Sequence, residues 1–560
     1  MPDFDLIDSK WIPVIRRGDG PPIEVSLRQA LLDAHEWKFL AGDVPTQVPA
    51  LLRQVLLPIL VHALGQPRNE AAWGRGFAAG RFSQAERDRL DEYLENVRLR
   101  FDLFHETTPF AQVSKLRTAK NETKGTALLV ATAASGNNVP LFSSRTEGDP
   151  LLLTPAKAAR WLIHAHCWDT AAIKSGAADD PQAKSGKTMG NPTGPLGSLG
   201  VIVPLGESLY ETLLLNTPIG TMPCDDRPQW GAEVDDEGAR RPPRPGVWEI
   251  RPALGLLDLW TWQSRRIRLV PEQTSEGLRV QRVVICAGDR LSARPEWEPH
   301  TAWTYQKPAK GDSLPARRPK RHTAGKAAWR GLNALLALEQ PSQDGGSETS
   351  ILIRQLARFE SQGHIPADYP LRVQTIGISY GTQSAVIEDV LFDEIPLPVA
   401  ALRTDFDVYS TLIEVVEQAE ELARAVNILS GDLRRAMGTD PIPWDKGQRP
   451  GELVLHALDP LVRRLLAGVQ AASEDGDLLA QGRTAWETVA WKRTVEVAEQ
   501  VLSNTAPHAF RGRTRKSDSK AKGEQSFRLA TAERDFRRRL RYALPRASEI
   551  FQQRKTDDLA

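Results

Sequence analysis

One stretch of the chain, residues 407–438, carries its clearest structural signal: DVYSTLIEVVEQAEELARAVNILSGDLRRAMG. Its apolar residues recur at three- and four-residue spacing, which places them on one stripe of a helix. Asp407 is positioned to cap the start of this helix and Gly438 to end it. The stripe consists of Val408, Leu412, Val415, Ala419, Leu422, Val426, Leu429 and Leu433. We therefore predict a long amphipathic helix that packs against other helices.

Three segments downstream show the same periodicity, at residues 452–469, 477–502 and 526–544. Four amphipathic helices joined by modest connections pack most simply as a four-helix bundle. Pro396 and Pro398 come just before the first helix. The sequence thus predicts a C-terminal domain, residues 401–560, built as a four-helix bundle.

The preceding residues, 1–400, mix the two periodicities. Helical patterns at 26–37, 49–64, 83–105 and 153–169 alternate with short apolar runs that are typical of strands. Two of these runs, VQTIGISY and AVIEDVLF, flank residues 381–384 and predict a hairpin with a polar tip. The fold class that follows is α+β, with a large mixed N-terminal domain and the C-terminal bundle.

Composition is that of an ordinary globular protein, with 41% hydrophobic and 26% charged residues in 560. The 72 basic and 71 acidic residues nearly cancel, so any attraction to nucleic acid must come from local patches. The most apolar stretch, 50–64, is interrupted by polar residues and predicts no membrane span. The N-terminus lacks the apolar segment of a secretory signal, and Cys167, Cys224 and Cys286 lie too far apart for a zinc pair. We expect a cytoplasmic protein without a structural metal.

Motifs for catalysis are weak. SGKTMG around Lys187 lacks the first glycine of a phosphate-binding loop, because Pro181 stands there. His164 and His166 lie about 200° apart on a helix and cannot share one ion, so the cluster that they form with Cys167 and Asp169 is better explained by packing or capping. We predict no catalytic residue and no cofactor, with a metal- or nucleotide-dependent enzyme as the weaker alternative.

Two basic clusters suggest contact with a phosphate backbone. Residues 306–330 hold eight basic residues against one acid, and residues 511–541 hold twelve against four. Each is predicted to be exposed, and a solvated loop that binds nothing is the alternative for either. The candidates for nonspecific DNA contact are Arg317, Arg318, Lys320, Arg321, Arg513, Arg515 and Lys516.

Seven segments, in order along nearly the whole chain, resemble one family. They are LIDSKWIPV at 6–14, TPFAQ at 108–112, SGNNVPLFSS at 135–144, MGNPTGPLGSLG at 189–200, ETLLLN at 211–216, PEWEPH at 295–300 and YGTQS at 380–384. With the helical C-terminal region, they identify the chain as similar to the CasA family, the large subunits of the type I-E CRISPR surveillance complex Cascade. Some relatives carry paired CxxC motifs that could hold zinc, and this sequence has none.

The resemblance implies a recognition subunit rather than an enzyme. Its expected partners are other Cascade subunits, the CRISPR guide RNA, double-stranded target DNA and a helicase-nuclease effector. Such subunits check duplex DNA for the protospacer-adjacent motif, largely through the minor groove, and a glutamine on a hairpin opens the duplex beside it. A scaffold that binds RNA and protein without reading DNA is the alternative function.

Carried onto this sequence, the resemblance places the opening residue at Gln383, with Thr382 where a relative has asparagine. The glycine loop falls near Met189, Gly190 and Asn191, and Arg290 stands where a relative has lysine. Ordinary surface roles are the alternatives for Gln383 and Arg290. The loop that docks on the guide-RNA handle falls at 138–142, and core packing is its alternative. The implied DNA-reading residues are Gln383, Thr382, Gly381, Gly190, Asn191 and Arg290, and the implied docking residues are Asn138, Leu141 and Phe142.

Overall fold

The computed structural model describes residues 3–133, 151–231, 246–306, 316–338, 346–403, 407–443, 449–471, 475–516 and 524–557. They form a mixed helix-and-strand protein with two compact units. Unit 1 comprises Met1–Lys326, Ala334–Ile365 and Leu371–Glu394. Unit 2 comprises Ala327–Asn333, Pro366–Pro370 and Ile395–Ala560. The last crossing from one unit to the other therefore lies between Glu394 and Ile395.

In the part of the chain that the structure describes, ten α-helices precede residue 400. Their bounds are α1 Leu27–Leu32, α2 Gln47–Leu51, α3 Leu57–Leu64, α4 Glu70–Ala79, α5 Gln84–Val97, α6 Pro155–Trp168, α7 Leu209–Leu215, α8 Leu256–Trp260, α9 Leu332–Leu335 and α10 Ile351–Ser361. Ser26 and Ser83 are the N-caps of α1 and α5, and each forms a capping box with the residue three positions on. Both helices end earlier than the periodicity predicted.

The apolar stretch predicted not to span a membrane is a core element of unit 1. A π-helical turn, Leu52–Leu56, joins α2 to α3. The helical stretch Gln47–Leu64 is long and apolar enough to cross a bilayer by composition, but most of it is buried inside the protein. Burial in the core explains its hydrophobicity.

Short strands and two long hairpins supply the sheets. The strands are β1 Ile12–Arg16, β2 Ile23–Val25, β3 Trp37–Leu40, β4 Lys124–Gly125, β5 Lys174–Ser175, β6 Lys187–Thr188, β7 Val201–Leu205, β8 Ile250–Arg251, β9 Arg265–Thr274, β10 Gly277–Ala287, β11 Arg290–Leu291, β12 Trp303–Gln306, β13 Ala316–Pro319, β14 Gly346–Glu348, β15 Arg372–Tyr380 and β16 Ile387–Pro396. In one sheet β10 pairs with β9 and β4 antiparallel and with β5 in parallel, and β5 pairs with β6. A second sheet has the order β16-β15-β7.

The hairpin predicted around residues 381–384 is confirmed as β15–β16. The amide of Gly381 donates to the carbonyl of Val386 over 2.9 Å and closes it. A single 3₁₀ turn, Thr382–Ser384, forms the tip. The polar end of the hairpin is thus held at the edge of a three-stranded sheet.

Unit 2 is dominated by helices: α11 Asp407–Met437, α12 Pro450–Ala471, α13 Gly476–Ser503, α14 Leu529–Ala543 and α15 Pro545–Asp557. The helix predicted over 407–438 is confirmed, and all eight residues of its predicted stripe are buried. Gly438 follows it with φ +88°, a conformation that ends a helix. Helix α11 packs against α12, α13 and α14. The hairpin of β17 Arg513–Lys516 and β18 Glu524–Phe527, and the fifth helix α15, were not predicted.

Candidate nucleic-acid interface

The hairpin tip displays a polar side chain on a constrained backbone. Thr382 and Gln383 are exposed. Gln383 has φ +55° and Ser384 has φ +53°, so both occupy the left-handed region that non-glycine residues rarely adopt. At Gly381 a Cβ atom would lie 2.6 Å from Oε1 of Glu388. The tip therefore has two consecutive residues in the left-handed region, and the side chain of Gln383 is exposed.

The glycine loop, residues 189–200, combines an exposed end with a tightly packed one. Met189 is 59% exposed, and Gly190 beside it has φ +66°. Asn191 is buried, and its Nδ2 donates to the carbonyl oxygens of Thr188 and Ala172 over 2.9 and 3.2 Å. At Gly194 a Cβ would lie 2.3 Å from the carbonyl of Cys167, so the backbone there approaches the end of α6 too closely for any side chain.

Arg290 lies directly against this loop. Its Nη2 donates to the carbonyl of Met189 over 2.9 Å and to Oδ1 of Asn191 over 3.1 Å. Its guanidinium stacks 4.1 Å from the ring centroid of Trp248. Partial burial, with the nearby charge of Arg265, lowers the pKa of Arg290. The structure thus brings Arg290 to the adjacent residues Gly190 and Asn191, which precede it by about a hundred positions.

One segment, residues 169–172, connects the glycine loop to the hairpin. On the hairpin side, the amide of Ala171 donates to the carbonyl of Ser384 over 2.8 Å. On the loop side, the amide of Gly194 donates to the carbonyl of Asp169 over 2.9 Å, and Asn191 reaches Ala172. The hairpin tip and the glycine loop therefore belong to one composite surface.

Arg265, at the start of β9, is buried and hydrogen-bonded to this connecting segment. It was not predicted from the sequence. Only 1% of the residue is exposed. Its Nε donates to Oδ2 of Asp169 over 2.5 Å, and its Nη2 donates to the carbonyls of Thr170 and Pro192 over 2.9 and 2.8 Å. One signal in the sequence could have identified it: the strand RRIRLV is apolar apart from its arginines. An arginine that is buried with such a strand needs hydrogen-bond and ion-pair partners.

Asp169 completes the ion-pair cluster. Besides Arg265 it accepts from Nζ of Lys174 over 2.7 Å. Burial alone would raise the pKa of Asp169, but the two cations outweigh it and lower the pKa to about 2. The carboxylate is therefore charged at neutral pH, and the cluster stays intact.

The histidines near Asp169 pack in the core, as predicted. His164 Nε2 lies 2.9 Å from the Thr46 hydroxyl, and His166 Nε2 lies 2.8 Å from the carbonyl of Ala111. Cys167 and Cys286 are buried, whereas Cys224 is exposed. Within the described residues, no group of three or more His, Cys, Asp or Glu side chains is arranged to hold a metal ion.

Among its described residues, 316–330, the first basic cluster is only partly exposed, which corrects the prediction of an exposed loop for this part of 306–330. Arg317 lies in β13, stacks 4.1 Å from the ring centroid of Trp303 and pairs with Glu348 over 3.1 Å. Arg330 pairs with Glu420 over 2.6 Å. These two charges have protein partners because Arg317 lies in a strand and Arg330 in a 3₁₀ turn, whereas residues 320–327 between them form neither helix nor strand.

Other members of the first cluster differ in their exposure. Arg318 is exposed, and Lys320 is half-buried with Nζ 3.5 Å from Oγ of Ser347. Arg321 donates to the carbonyl of Gly197 over 3.0 Å, so it lies on the glycine loop. Of the four candidates predicted in this cluster, Arg318 and Arg321 are therefore the exposed ones.

The second basic cluster lies in unit 2. Arg513 is exposed, and Arg515 and Lys516 belong to β17. Helix α14 adds an exposed basic face, followed by Tyr542, which is 87% exposed. The exposed basic residues of α14 are Arg534, Arg537, Arg538 and Arg541. Asn138, Leu141 and Phe142 of the predicted docking loop lie outside the described residues.

Together these features define a class of protein: a two-unit α+β chain with a composite polar and basic surface suited to nucleic acid. The model of the family described as CRISPR-associated protein Cse1 matches residues 5–498. The chain therefore belongs to the Cse1 family, whose members are also called CasA.

Three relatives show the extent of the similarity. CRISPR-associated protein CasA/Cse1 of Thermus thermophilus is 28% identical over 557 residues, covering 94% of this chain and 96% of the relative. The crystal structure of Thermobifida fusca Cse1 is 33% identical, with a TM-score of 0.80 and coverage of 98% and 99%. A chain from a CRISPR RNA-guided surveillance complex, 20% identical, shares the fold with a TM-score of 0.59 over 90% of this chain and 100% of its own length.

Proposed function

We propose that this chain is the motif-recognition subunit of a type I-E CRISPR Cascade complex. It reads the protospacer-adjacent motif in invading double-stranded DNA and opens the duplex, so that the guide RNA can invade and form an R-loop. The observation that carries the proposal is the joining of the exposed hairpin tip to the glycine loop through residues 169–172. Membership of the Cse1 family supports it.

The glycine loop and Arg290 form the reading element. The minor groove distinguishes mainly A·T from G·C pairs, so a reader there tolerates several related motifs. A backbone without Cβ atoms at Gly190 approaches the floor of the groove closely. Arg290 presents a planar guanidinium to groove acceptors while Trp248 and the loop hold it in place.

The hairpin tip forms the opening element. Inserting a side chain between base pairs costs a few kcal/mol, which contacts to the motif must offset. Gln383 is exposed on a backbone whose conformation is fixed, and Thr382 beside it offers a hydroxyl to the same groove. Exchange of the DNA duplex for the guide heteroduplex is near balance, so local opening is enough to start it.

The remaining surfaces serve assembly. Asn138, Leu141 and Phe142 dock the chain on the guide-RNA handle and a neighbouring Cascade subunit. Arg318, Arg321 and Arg513, with Lys320, Arg515 and Lys516 nearby, attract DNA before the motif is found. In this proposal residues 1–400 act as the reading domain and residues 401–560 as a four-helix bundle that contacts other subunits and helps to recruit the helicase-nuclease. The protein acts in the cytoplasm, as a binding subunit rather than an enzyme.

The test is duplex opening by reconstituted Cascade, with and without a correct motif, comparing wild type with Gln383→Ala. We expect Gln383→Ala to reduce motif-dependent opening strongly, to a low but measurable level, while guide-RNA assembly persists. Gln362→Ala, which removes an exposed glutamine at the end of α10, is the matched control and leaves opening unchanged. If Gln383→Ala opens DNA normally, the subunit acts as a scaffold at this site and the proposal is overturned.

A further inference from the structure

We infer that the buried Asp169–Arg265 pair is a positioning device that couples motif reading at the glycine loop to duplex opening at the hairpin. The inference rests on the proposed function and adds residues that neither touch DNA in that proposal nor lie at the tip or the loop. Its basis is the set of hydrogen bonds by which the guanidinium of Arg265 joins the segment 169–172, at Asp169 and Thr170, to the glycine loop.

The loop side of the device is built on backbone oxygen atoms. Nη2 of Arg265 lies 2.8 Å from the carbonyl of Pro192, which follows Asn191 directly. The same nitrogen lies 2.9 Å from the carbonyl of Thr170. The amide of Gly194 adds its bond to the carbonyl of Asp169. The glycine loop is therefore fastened to residues 169–170 on both sides of Thr193.

The hairpin side is fastened to the same few residues. The bond from the Ala171 amide to the carbonyl of Ser384 holds the tip itself. The Tyr380 hydroxyl donates to the carbonyl of Trp168 over 2.6 Å and holds the end of β15 that leads into the tip. Gln383 therefore directly precedes Ser384, whose carbonyl accepts a hydrogen bond from the connecting segment.

Burial makes this linkage stiff. Arg265 is almost fully buried, and Asp169 neutralises it within the protein. Separating a buried charge from its partners is strongly unfavourable, so the loop cannot shift without moving residues 169–172 or breaking these bonds. A planar guanidinium fixes the directions of all its donors, which an ammonium group does not. When the loop settles into the groove, the hairpin tip is therefore carried with it.

The test is a double-mutant cycle between Arg290→Ala and Gln383→Ala, measured as strand opening by reconstituted Cascade on a motif-containing duplex. The cycle is repeated in Arg265→Lys, which keeps a cation beside Asp169 but lacks the fork that spans Thr170 and Pro192. Tyr380→Phe, which removes the hydroxyl that bonds the tip end of β15 to Trp168, is a second and milder variant. Lys174→Met is the matched control, because it removes a cation from the same carboxylate and leaves every bond of Arg265 in place.

In wild type and in Lys174→Met we expect the effects of Arg290→Ala and Gln383→Ala on strand opening to be coupled by about fivefold or more. In Arg265→Lys and in Tyr380→Phe we expect this coupling to be less than about twofold. A duplex whose first base pairs beyond the motif are mismatched needs no opening, so Arg265→Lys should bind it as wild type does. A purely structural role would weaken binding to both duplexes alike.

The outcomes separate the two proposals. If Arg290→Ala and Gln383→Ala each leave motif-dependent opening unchanged, the proposed function fails, and the coupling role fails with it. If each reduces opening but the coupling persists in Arg265→Lys and Tyr380→Phe, the proposed function stands and the positioning role is overturned. Should Arg265→Lys fail to assemble, Tyr380→Phe decides between these results.

Discussion

At the scale of single residues, the composite surface depends on backbone geometry that only glycine supplies easily. Gly190 has φ +66° beside Met189 and Arg290, and Gly186, four residues earlier, has φ +72° in open space. Alanine in the left-handed region costs about 1–2 kcal/mol. The two glycines are thus a matched pair that differ in their distance from the reading element.

We predict that Gly190→Ala weakens motif-dependent DNA binding by reconstituted Cascade, because backbone strain displaces Met189 and the carbonyl that Arg290 holds. We expect a loss of about tenfold, corresponding to about 1.4 kcal/mol of strain. Gly186→Ala should carry similar strain and bind the motif normally. Equal losses in the two variants would assign the effect to general destabilisation.

How well single residues were predicted depended on how far apart their partners lie in the sequence. Gln383 was placed at a hairpin tip because the two strands and the polar turn are contiguous, and local signals suffice. Arg290 was identified only through family resemblance. Arg265 was missed because its partners, Asp169 and Pro192, lie more than seventy residues away, and one sequence does not show that proximity.

At the scale of elements, the buried helical stretch Gln47–Leu64 supplies the cation of a buried ion pair. Arg53, in the π-helical turn, is bonded at both ends of its fork to Glu298, over 2.7 and 3.2 Å. Both side chains are almost completely buried. Removing one partner of such a pair leaves an uncompensated charge in the core.

We predict that Arg53→Met lowers the free energy of unfolding by about 3–5 kcal/mol, measured by chemical denaturation of the isolated chain. The double variant Arg53→Met/Glu298→Gln removes the stranded charge and should regain part of the loss. A double variant no more stable than Arg53→Met would show that packing, rather than charge, dominates at this site.

Helix α6 makes stability depend on pH. Burial lowers the pKa of His164 to about 3, and burial, opposed by the bond to Ala111, lowers the pKa of His166 to about 4. In the unfolded chain an imidazole titrates near 6.5, so between these values the unfolded state binds protons that the folded state does not. This contribution to stability is fully present above about pH 6.5 and is lost as the pH falls towards 4.

We therefore predict that the thermal unfolding midpoint falls between pH 7.5 and pH 5, with each buried histidine contributing up to about 1.4 kcal/mol per pH unit. His166→Gln keeps a donor for the carbonyl of Ala111 and removes one titrating group, so it should flatten this dependence. A midpoint that does not change with pH, or an unchanged slope in His166→Gln, would contradict the assignment.

The elements that could be predicted were those with a long, regular period. Helices α11, α12 and α13 begin and end within a few residues of their predicted bounds, because a stripe sustained over many turns leaves no alternative face to bury. Helix α15 was missed because it follows α14 after one residue, Leu544. The β17–β18 hairpin was missed because its strands are short and strongly polar.

At the scale of the whole molecule, the near-zero net charge hides local basic surfaces. Arg318 in unit 1 and the exposed face of α14 in unit 2 are separate candidates for contact with phosphates. Release of counterions makes such contacts measurable, since each lost contact lowers the slope of log K against log salt by about 0.9.

We predict that the double variant Arg513→Gln/Arg541→Gln lowers the salt dependence of nonspecific DNA binding by reconstituted Cascade, by about two units of slope. Arg424→Gln/Arg493→Gln is the control, because these exposed arginines pair with Glu421 and Glu496 along their own helices. An unchanged slope in the Arg513→Gln/Arg541→Gln variant would assign these two arginines to protein partners or to solvent.

The distribution of the three cysteines has a practical consequence. Burial raises the pKa of Cys167 to about 12 and that of Cys286 to about 11, whereas Cys224 is exposed. Thiolate is the reactive form, so a maleimide dye should modify the native chain at Cys224 alone. The wild-type protein therefore carries its own fluorescent labelling position in unit 1, and its arrival on a surface-tethered DNA molecule is observable without engineering the sequence.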